Sequence, residues 1–177
     1  KHFNPIPTQS FVFNTRRQPF QDIYFRQALT YAYDFEWQNK AMFYGQYQRL
    51  QSYFSNSELE AKGLPSAAEI KILKPYLAKL HPVQRDGVLK NWRYSASEGS
   101  GYNRNNLLIA RQILLKNGYT YNAKGRLLDR KNKPIQFEFL IQPSDAVREI
   151  TPFVRHLKRL GIQLNIRQVD TPQYYER

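Results

Sequence analysis

The stretch Ile135-Gln136-Phe137-Glu138-Phe139-Leu140-Ile141 decides the fold class. Ile135, Phe137, Phe139 and Ile141 fall at every second position, the period of a strand with one buried face. The turn Lys131-Asn132-Lys133-Pro134 leads into it. Downstream, Ser144 or Asp145 caps a helix from Ala146 to Leu160 that Gly161 closes. A second strand follows from Ile162 to Val169, with Ile162, Leu164 and Ile166 on one side. Thr171-Pro172 then reads as an N-cap followed by Pro at the first helical position, so another helix is starting when the chain stops at Arg177.

Upstream, Tyr121 to Leu128 reads as a strand and turn, so a hairpin precedes the decisive strand. Asn105 to Asn117 is an amphipathic helix with Leu108, Ala110, Ile113 and Leu114 on its buried side and Gly118 as C-cap. Residues 81–104 form a long polar connection, and residues 44–64 an irregular, aromatic-rich loop. Between them, Ser66-Ala67-Ala68-Glu69 is a capping box for a helix through about Lys79, which Pro75 should kink or end early. A helix spans Phe35 to Phe43, before Gly45. Another starts at Pro19-Phe20-Gln21-Asp22, with Ile23, Phe25, Ala28, Leu29, Ala32 and Tyr33 at helical spacing and Asp22 and Arg26 as an i,i+4 pair. Alternation over residues 9–14 predicts a strand. Together these elements describe an α/β class with helices packed on a mixed sheet, in a single domain over residues 1–177.

The chain has 177 residues, 41% apolar and 15% aromatic, enough for a sizeable core and too aromatic for a disordered segment. Without cysteine it can hold no disulfide, thiolate metal site or cysteine nucleophile. Apolar runs of only a few residues exclude a membrane-spanning helix. The missing initiator Met and the stop inside a helix make it read as a piece of a longer protein. Against 14 Asp and Glu stand 27 Lys and Arg, a net charge of +13, which makes nucleic acid the first partner to consider. Yet Arg16-Arg17, Lys71 to Lys79, Arg126 to Lys133 and Arg155 to Arg159 fall in four different elements, with no glycine-rich phosphate loop, zinc spacing or RNA-recognition signature. They read as solvated faces. A stand-alone basic nucleic-acid-binding domain is the alternative.

No catalytic constellation is visible, and the reading is of a protein that is not an enzyme and uses no cofactor. His2, His81 and His156 lie in unlike elements, which disfavours a metal site. Asp34 and Glu36, between Tyr33, Phe35 and Trp37, suit a helix junction rather than acid–base chemistry. Ser52, Ser55 and Ser57 lack the strand–turn–helix setting of a nucleophile. The loop aromatics Tyr44, Tyr47, Tyr53, Phe54, Trp92, Tyr94 and Tyr102 either line a ligand cleft or cap the core beneath long loops.

Several segments, taken in order, carry a family pattern. Phe13-Asn14-Thr15-Arg16-Arg17-Gln18-Pro19-Phe20-Gln21-Asp22-Ile23-Tyr24-Phe25-Arg26-Gln27-Ala28-Leu29 is one. Ala110-Arg111-Gln112-Ile113-Leu114-Leu115-Lys116-Asn117-Gly118-Tyr119 is a second, and Phe153 to Ile162 a third. With them the chain resembles the oligopeptide-binding proteins of bacterial ABC importers, solute-binding family 5. Tyr31 to Trp37, Phe43-Tyr44-Gly45 and Phe54-Ser55-Asn56-Ser57-Glu58-Leu59 resemble its Yej-type branch, which is associated with import of peptides and of the peptide-nucleotide microcin C.

The resemblance implies most of the second lobe of a two-lobe receptor with a periplasmic binding protein-like II fold. The first lobe of the same chain is then missing. It further implies a periplasmic location, an oligopeptide or peptide-like ligand, a membrane ABC permease as partner, and no nucleic acid. A peptide receptor needs polar groups for the peptide backbone, charges for its ends and roomy apolar pockets. The residues that could supply these are Asn14, Arg16, Ser52, Tyr53, Phe54, Gln142, Ser144, Asp145 and Arg148. For Asp145 the alternative is a plain N-cap, and for Arg16 a solvated hinge charge.

Overall fold

The structure is a computed structural model that describes residues 9–90, 93–142 and 146–176. The chain divides into two compact units. The smaller contains Gln48–Tyr94, and the larger contains Phe13–Tyr47 and the chain from Ser95 onward.

The larger unit is built on helix α1, Ile23–Ala32, which buries Phe25, Ala28, Leu29 and Ala32 along one stripe. Helix α5, Arg104–Lys116, lies against it through Leu107, Ala110 and Leu114. Leu108 does not join this face: it is 47% exposed, and Ile113 is half-buried. The buried stripe runs 107, 110, 114, one residue out of phase with the expectation at Leu108, because the helix packs chiefly on α1. Asp22 caps α1 by accepting from the Tyr24 N–H at 2.9 Å. The expected Asp22–Arg26 side-chain pair does not form. Arg26 turns back to the carbonyls of Phe20 and Gln21, which lie closer to the helix start, while Asp22 faces Arg130.

After α5 the chain makes an antiparallel hairpin of β1, Thr120–Tyr121, and β2, Leu127–Leu128. Strand β3, Gln136–Ile141, pairs in parallel with β4, Gln163–Gln168, in register from Gln136 opposite Gln163 to Ile141 opposite Gln168. Helix α6, Ala146–Arg159, connects them and packs its face of Ile150, Phe153, His156 and Leu157 against β4 and α1. The mixed sheet is thus two short ladders, linked where Ile135 N–H donates to the Leu127 carbonyl and Leu127 N–H to the Gly161 carbonyl, both at 2.9 Å. Gly161, at φ +73°, closes α6 where any Cβ would lie 2.4 Å from the Gly125 carbonyl oxygen.

No strand forms over residues 9–14, against the alternation of that stretch. Strand geometry needs a partner ladder, and here the segment is drawn into aromatic packing instead. Phe13 stacks on Phe20 at 5.3 Å between ring centres, and Phe20 meets Phe137 edge-on at 4.9 Å. Helix α2, Phe35–Phe43, matches its expected span. The last helix, α7, Thr171–Tyr175, starts one residue earlier than expected: Asp170 is the cap, accepting from the Gln173 N–H at 2.9 Å. A carboxylate outcompetes the Thr171 hydroxyl at that position.

In the smaller unit, α3, Ala67–Leu77, opens on the Ser66–Glu69 capping box and ends two residues after Pro75. The polar connection expected over 81–104 contains a further helix, α4, Pro82–Leu89. Its cap is His81, whose Nδ1 accepts from the Val83 N–H at 3.3 Å, an unusual capping residue, and Gly87 weakens its helical signal. Neither α3 nor α4 buries a residue fully. No helix among the described residues is long and apolar enough to cross a membrane.

Candidate functional site

The parallel β3–β4 pair ends at Ile141 and Gln168, and sites in α/β sheets form beyond the carboxyl ends of such strands. Gln142 sits there, half-buried, one residue after β3. Arg148 is exposed in the first turn of α6. Ser144 and Asp145, with their proposed capping role, lie outside the described residues. This edge therefore brings an amide and a guanidinium to either side of the β3–α6 connection.

Asn14 and Arg16 share one exposed turn. The Asn14 Oδ1 accepts from the Arg16 N–H at 3.2 Å, and its carbonyl accepts from the Arg17 N–H at 3.0 Å. Gln21 Nε2 donates to the Arg16 carbonyl at 3.0 Å, which leaves the Arg16 guanidinium projecting from a braced backbone.

Ser52, Tyr53 and Phe54 belong to the smaller unit and lie in a loop held by its own side chains. Ser52 Oγ accepts from the Phe54 N–H at 3.3 Å and from the Ala61 N–H at 3.2 Å. Ser55 Oγ donates to the Ser52 carbonyl at 2.8 Å, and Ser57 Oγ to the Phe54 carbonyl at 2.7 Å. The loop presents Tyr53 and Phe54 outward, 79% and 51% exposed, with ring centres 5.3 Å apart.

A buried polar cluster fixes the junction between α1 and α2. Asp34 Oδ1 caps α2 at the Trp37 N–H, 3.1 Å away, and accepts from the Ser97 hydroxyl. Glu36 Oε2 accepts from the Ser97 N–H at 2.9 Å. The pair thus organises a helix junction, as its setting in sequence suggested. Asn103 Nδ2 donates to the Tyr31 carbonyl at 2.9 Å. The His156 ring lies between two carbonyls, Nδ1 3.0 Å from Ala32 O and Nε2 2.9 Å from Gly101 O. Gly101, at φ +78°, is obligatory, since a Cβ would stand 2.8 Å from Trp37 Nε1. Sequence reasoning passed over Ser97 and Asn103, and weighed His156 only as a metal ligand. The signal for His156 was its spacing from Phe153 and Leu160, which puts it on the buried face of α6.

A cleft of about 460 Å³ is lined by Asp22, Tyr119 and Arg130 together with Lys131 and Lys133. Three of its polar groups serve one another. The Tyr119 hydroxyl and the Arg130 guanidinium both donate to Asp22 Oδ2, at 3.1 and 2.9 Å. Burial, and then the neighbouring Asp22 carboxylate, push the Tyr119 phenol above the ordinary tyrosine range, so it remains a donor. Burial also raises Tyr121. The arrangement is a structural clasp. Among the described residues no group of histidine and carboxylate side chains could hold a metal ion.

Comparison with known proteins accords with a binding scaffold. The chain is 37% identical over 170 residues to the YejA protein of Escherichia coli K12, covering 96% of this chain and 28% of the relative. It is 36% identical over 169 residues to a probable peptide-binding protein, YejA, of Agrobacterium fabrum, covering 96% and 27%. The chain therefore spans about a quarter of the length of these relatives. The Bacillus subtilis oligopeptide-binding protein AppA, solved with a nonapeptide, shares the fold at a TM-score of 0.65 and 20% identity, over 93% of this chain and 26% of AppA. Residues 2–177 match the family described as bacterial extracellular solute-binding proteins, family 5 middle. These are binding proteins and not enzymes, and the chain belongs to family 5 of the bacterial extracellular solute-binding proteins.

Proposed function

We propose that this chain is most of the second, ligand-closing lobe of a two-lobe periplasmic receptor that delivers oligopeptides to a membrane ABC permease. The observation that carries this reading is the family match over residues 2–177, joined to a relative named as a probable peptide-binding protein. The geometry agrees with it. Gln142 and Arg148 flank the β3–α6 connection at the carboxyl end of a parallel pair, suited to a peptide's backbone and its terminal carboxylate. Asn14 and Arg16 offer a second polar turn, and Tyr53 and Phe54 an apolar one. Ser144 and Asp145 are retained as ligand-binding positions in the same connection. Basic side chains that stack on aromatic rings do so on separate elements, Arg49 on Tyr94, Arg111 on Tyr121 and Arg159 on Tyr102, which gives no support to a single nucleic-acid groove.

Calorimetry on the full-length parent with oligopeptides tests the reading. Saturable binding that weakens in Arg148→Ala is expected; failure to bind peptides together with tight binding of single-stranded DNA would overturn it. The isolated chain should bind far more weakly, because one wall leaves peptide hydrogen bonds competing with water. If the parent binds at about 1 μM, half that free energy corresponds to about 1 mM.

A further inference from the structure

We infer that the outer face of α5, with the basic end of α6 and the β1–β2 turn beside it, is a docking surface for an anionic phospholipid bilayer. This goes beyond peptide binding and stands on observations of its own. Residues 99–128 contain no Asp or Glu, and neither do residues 150–169. The fold packs the two stretches together: the Tyr121 hydroxyl donates to the Leu160 carbonyl at 3.2 Å, and the Leu127 N–H to the Gly161 carbonyl at 2.9 Å. Their cations are thereby brought onto adjoining elements of the larger unit.

Three of the guanidinium groups are held by neutral partners. Arg159 Nη1 donates to the Tyr102 carbonyl at 2.8 Å, and Arg126 Nη2 to Gln163 Oε1 at 2.8 Å. Arg111 lies over the Tyr121 ring, 5.1 Å from its centre. Such partners fix the position of a charge and leave it unneutralised. Among the described residues none of Arg104, Arg111, Lys124, Arg126, Lys158 and Arg159 enters an ion pair. Glu98 stands at the border, its carboxylate accepting from Asn105 Nδ2. Arg104 itself opens α5, where the helix dipole disfavours a cation and no acidic residue of the first turn offsets it. Charges so placed favour an anionic partner.

The apolar side chains of the same face select which anion. Arg104, Leu108, Arg111 and Leu115 recur at spacings of four, three and four, so they form one stripe along α5. Leu108 and Leu115 are 47% and 44% exposed. Cations and leucines alternating on one exposed stripe match a bilayer interface, where apolar side chains enter the headgroup boundary and arginine stems reach the phosphates. A nucleic acid would leave the leucines uncovered. The Tyr102 and Tyr121 rings, which could stack on bases, are already paired with Arg159 and Arg111.

The test is co-sedimentation of the full-length parent with vesicles of phosphatidylcholine, alone or with about one-third phosphatidylglycerol. Partitioning onto the anionic vesicles is expected, weak onto the neutral ones and falling as salt rises. Arg104→Gln with Arg111→Gln should lower it about tenfold or more, since each cation near an anionic surface is worth about fivefold. Leu108→Ala with Leu115→Ala should lower it roughly fivefold. Lys71→Gln with Lys74→Gln removes the same charge from α3 and should change it little. Wild-type parent that ignores anionic vesicles overturns the inference. Equal losses from the α3 and α5 lysine and arginine pairs overturn it too, because net charge and not this face would then act. Indifference to the leucine pair, or preference for a single-stranded oligonucleotide or polyglutamate, overturns the choice of a bilayer. Peptide calorimetry on the same parent is read separately, so failure to bind peptides strikes the receptor reading and leaves this face standing.

Discussion

Arg130 Nη2 donates to Asp22 Oδ2 at 2.9 Å, fastening the turn after β2 to the cap of α1 across 108 positions of chain. The same carboxylate receives the Tyr119 hydroxyl through Oδ2 and holds the Tyr24 N–H through Oδ1. One side chain thereby joins the start of α1, the end of α5 and the hairpin. A nearer partner, Arg26, was available in sequence, but the long-range one takes its place because Arg26 is engaged by carbonyls at the helix start.

Asp22→Ala should cost about 1–3 kcal/mol, from the lost cap and from a tyrosine hydroxyl left without its acceptor. Arg130→Ala should cost less, about 1 kcal/mol or below, because that side chain is 59% exposed and water screens the pair. Urea melts of the two variants decide this. Equal losses would mean that the ion pair, not the cap, dominates.

The phase of α5 gives a second expectation. Leu114 is fully buried against α1, whereas Leu108 is 47% exposed. Leu114→Ala should cost about 2–5 kcal/mol, and Leu108→Ala within about 0.5 kcal/mol of nothing. Reversal of that order in chemical denaturation would put the helix on the wrong face.

A pH dependence follows from the cap of α3. Glu69 Oε2 accepts from the Ser66 hydroxyl at 2.7 Å and from the Ser66 N–H at 2.6 Å, and these bonds hold its carboxyl below the ordinary value of 4.5. Folding therefore favours the ionised form. The stabilisation is present above pH 4.5 and is lost as pH falls through the lower folded value. Amide exchange over the first turn of α3 should accelerate on acidification in that window. Glu69→Gln keeps a capping box without the charge and should flatten the response. A wild-type profile as flat as that of Glu69→Gln would remove the carboxylate from the account.

Local signals in the sequence were read well where they were strong and local. The Ser66–Glu69 box, the span of α2 and the alternating face of β3 all formed where the residues placed them. What failed depended on distant partners. Residues 9–14 alternate like a strand, yet Phe13 goes to Phe20. Leu108 is as apolar as Leu107, and only the direction of α1 decides between them. His81 initiates α4 through a ring nitrogen, which residue-type preferences undervalue. At the candidate site, the sequence marked the loop carrying Tyr53 and Phe54 as aromatic, but a hydrogen-bond closure between Ser52 and Ala61 has no periodicity to betray it.

His156 supplies the sharpest stability expectation. It is 2% exposed, and its two ring nitrogens are the polar groups set against the Ala32 and Gly101 carbonyls. Ala32 ends α1, whose last carbonyls have no partner within the helix, and Gly101 is held by its backbone conformation under Trp37. Truncating the ring leaves the carbonyl that accepts its N–H without that donor and opens a cavity at the junction. An unmet acceptor costs about 1–3 kcal/mol, and the cavity adds to that. His156→Ala should therefore lose about 3–5 kcal/mol. His156→Gln retains one amide donor and should recover part of the loss. Trp37 fluorescence during denaturation reports on the same junction. A loss under about 1 kcal/mol for His156→Ala would mean that water replaces the ring N–H and that the ring is not what locks α1 to α6.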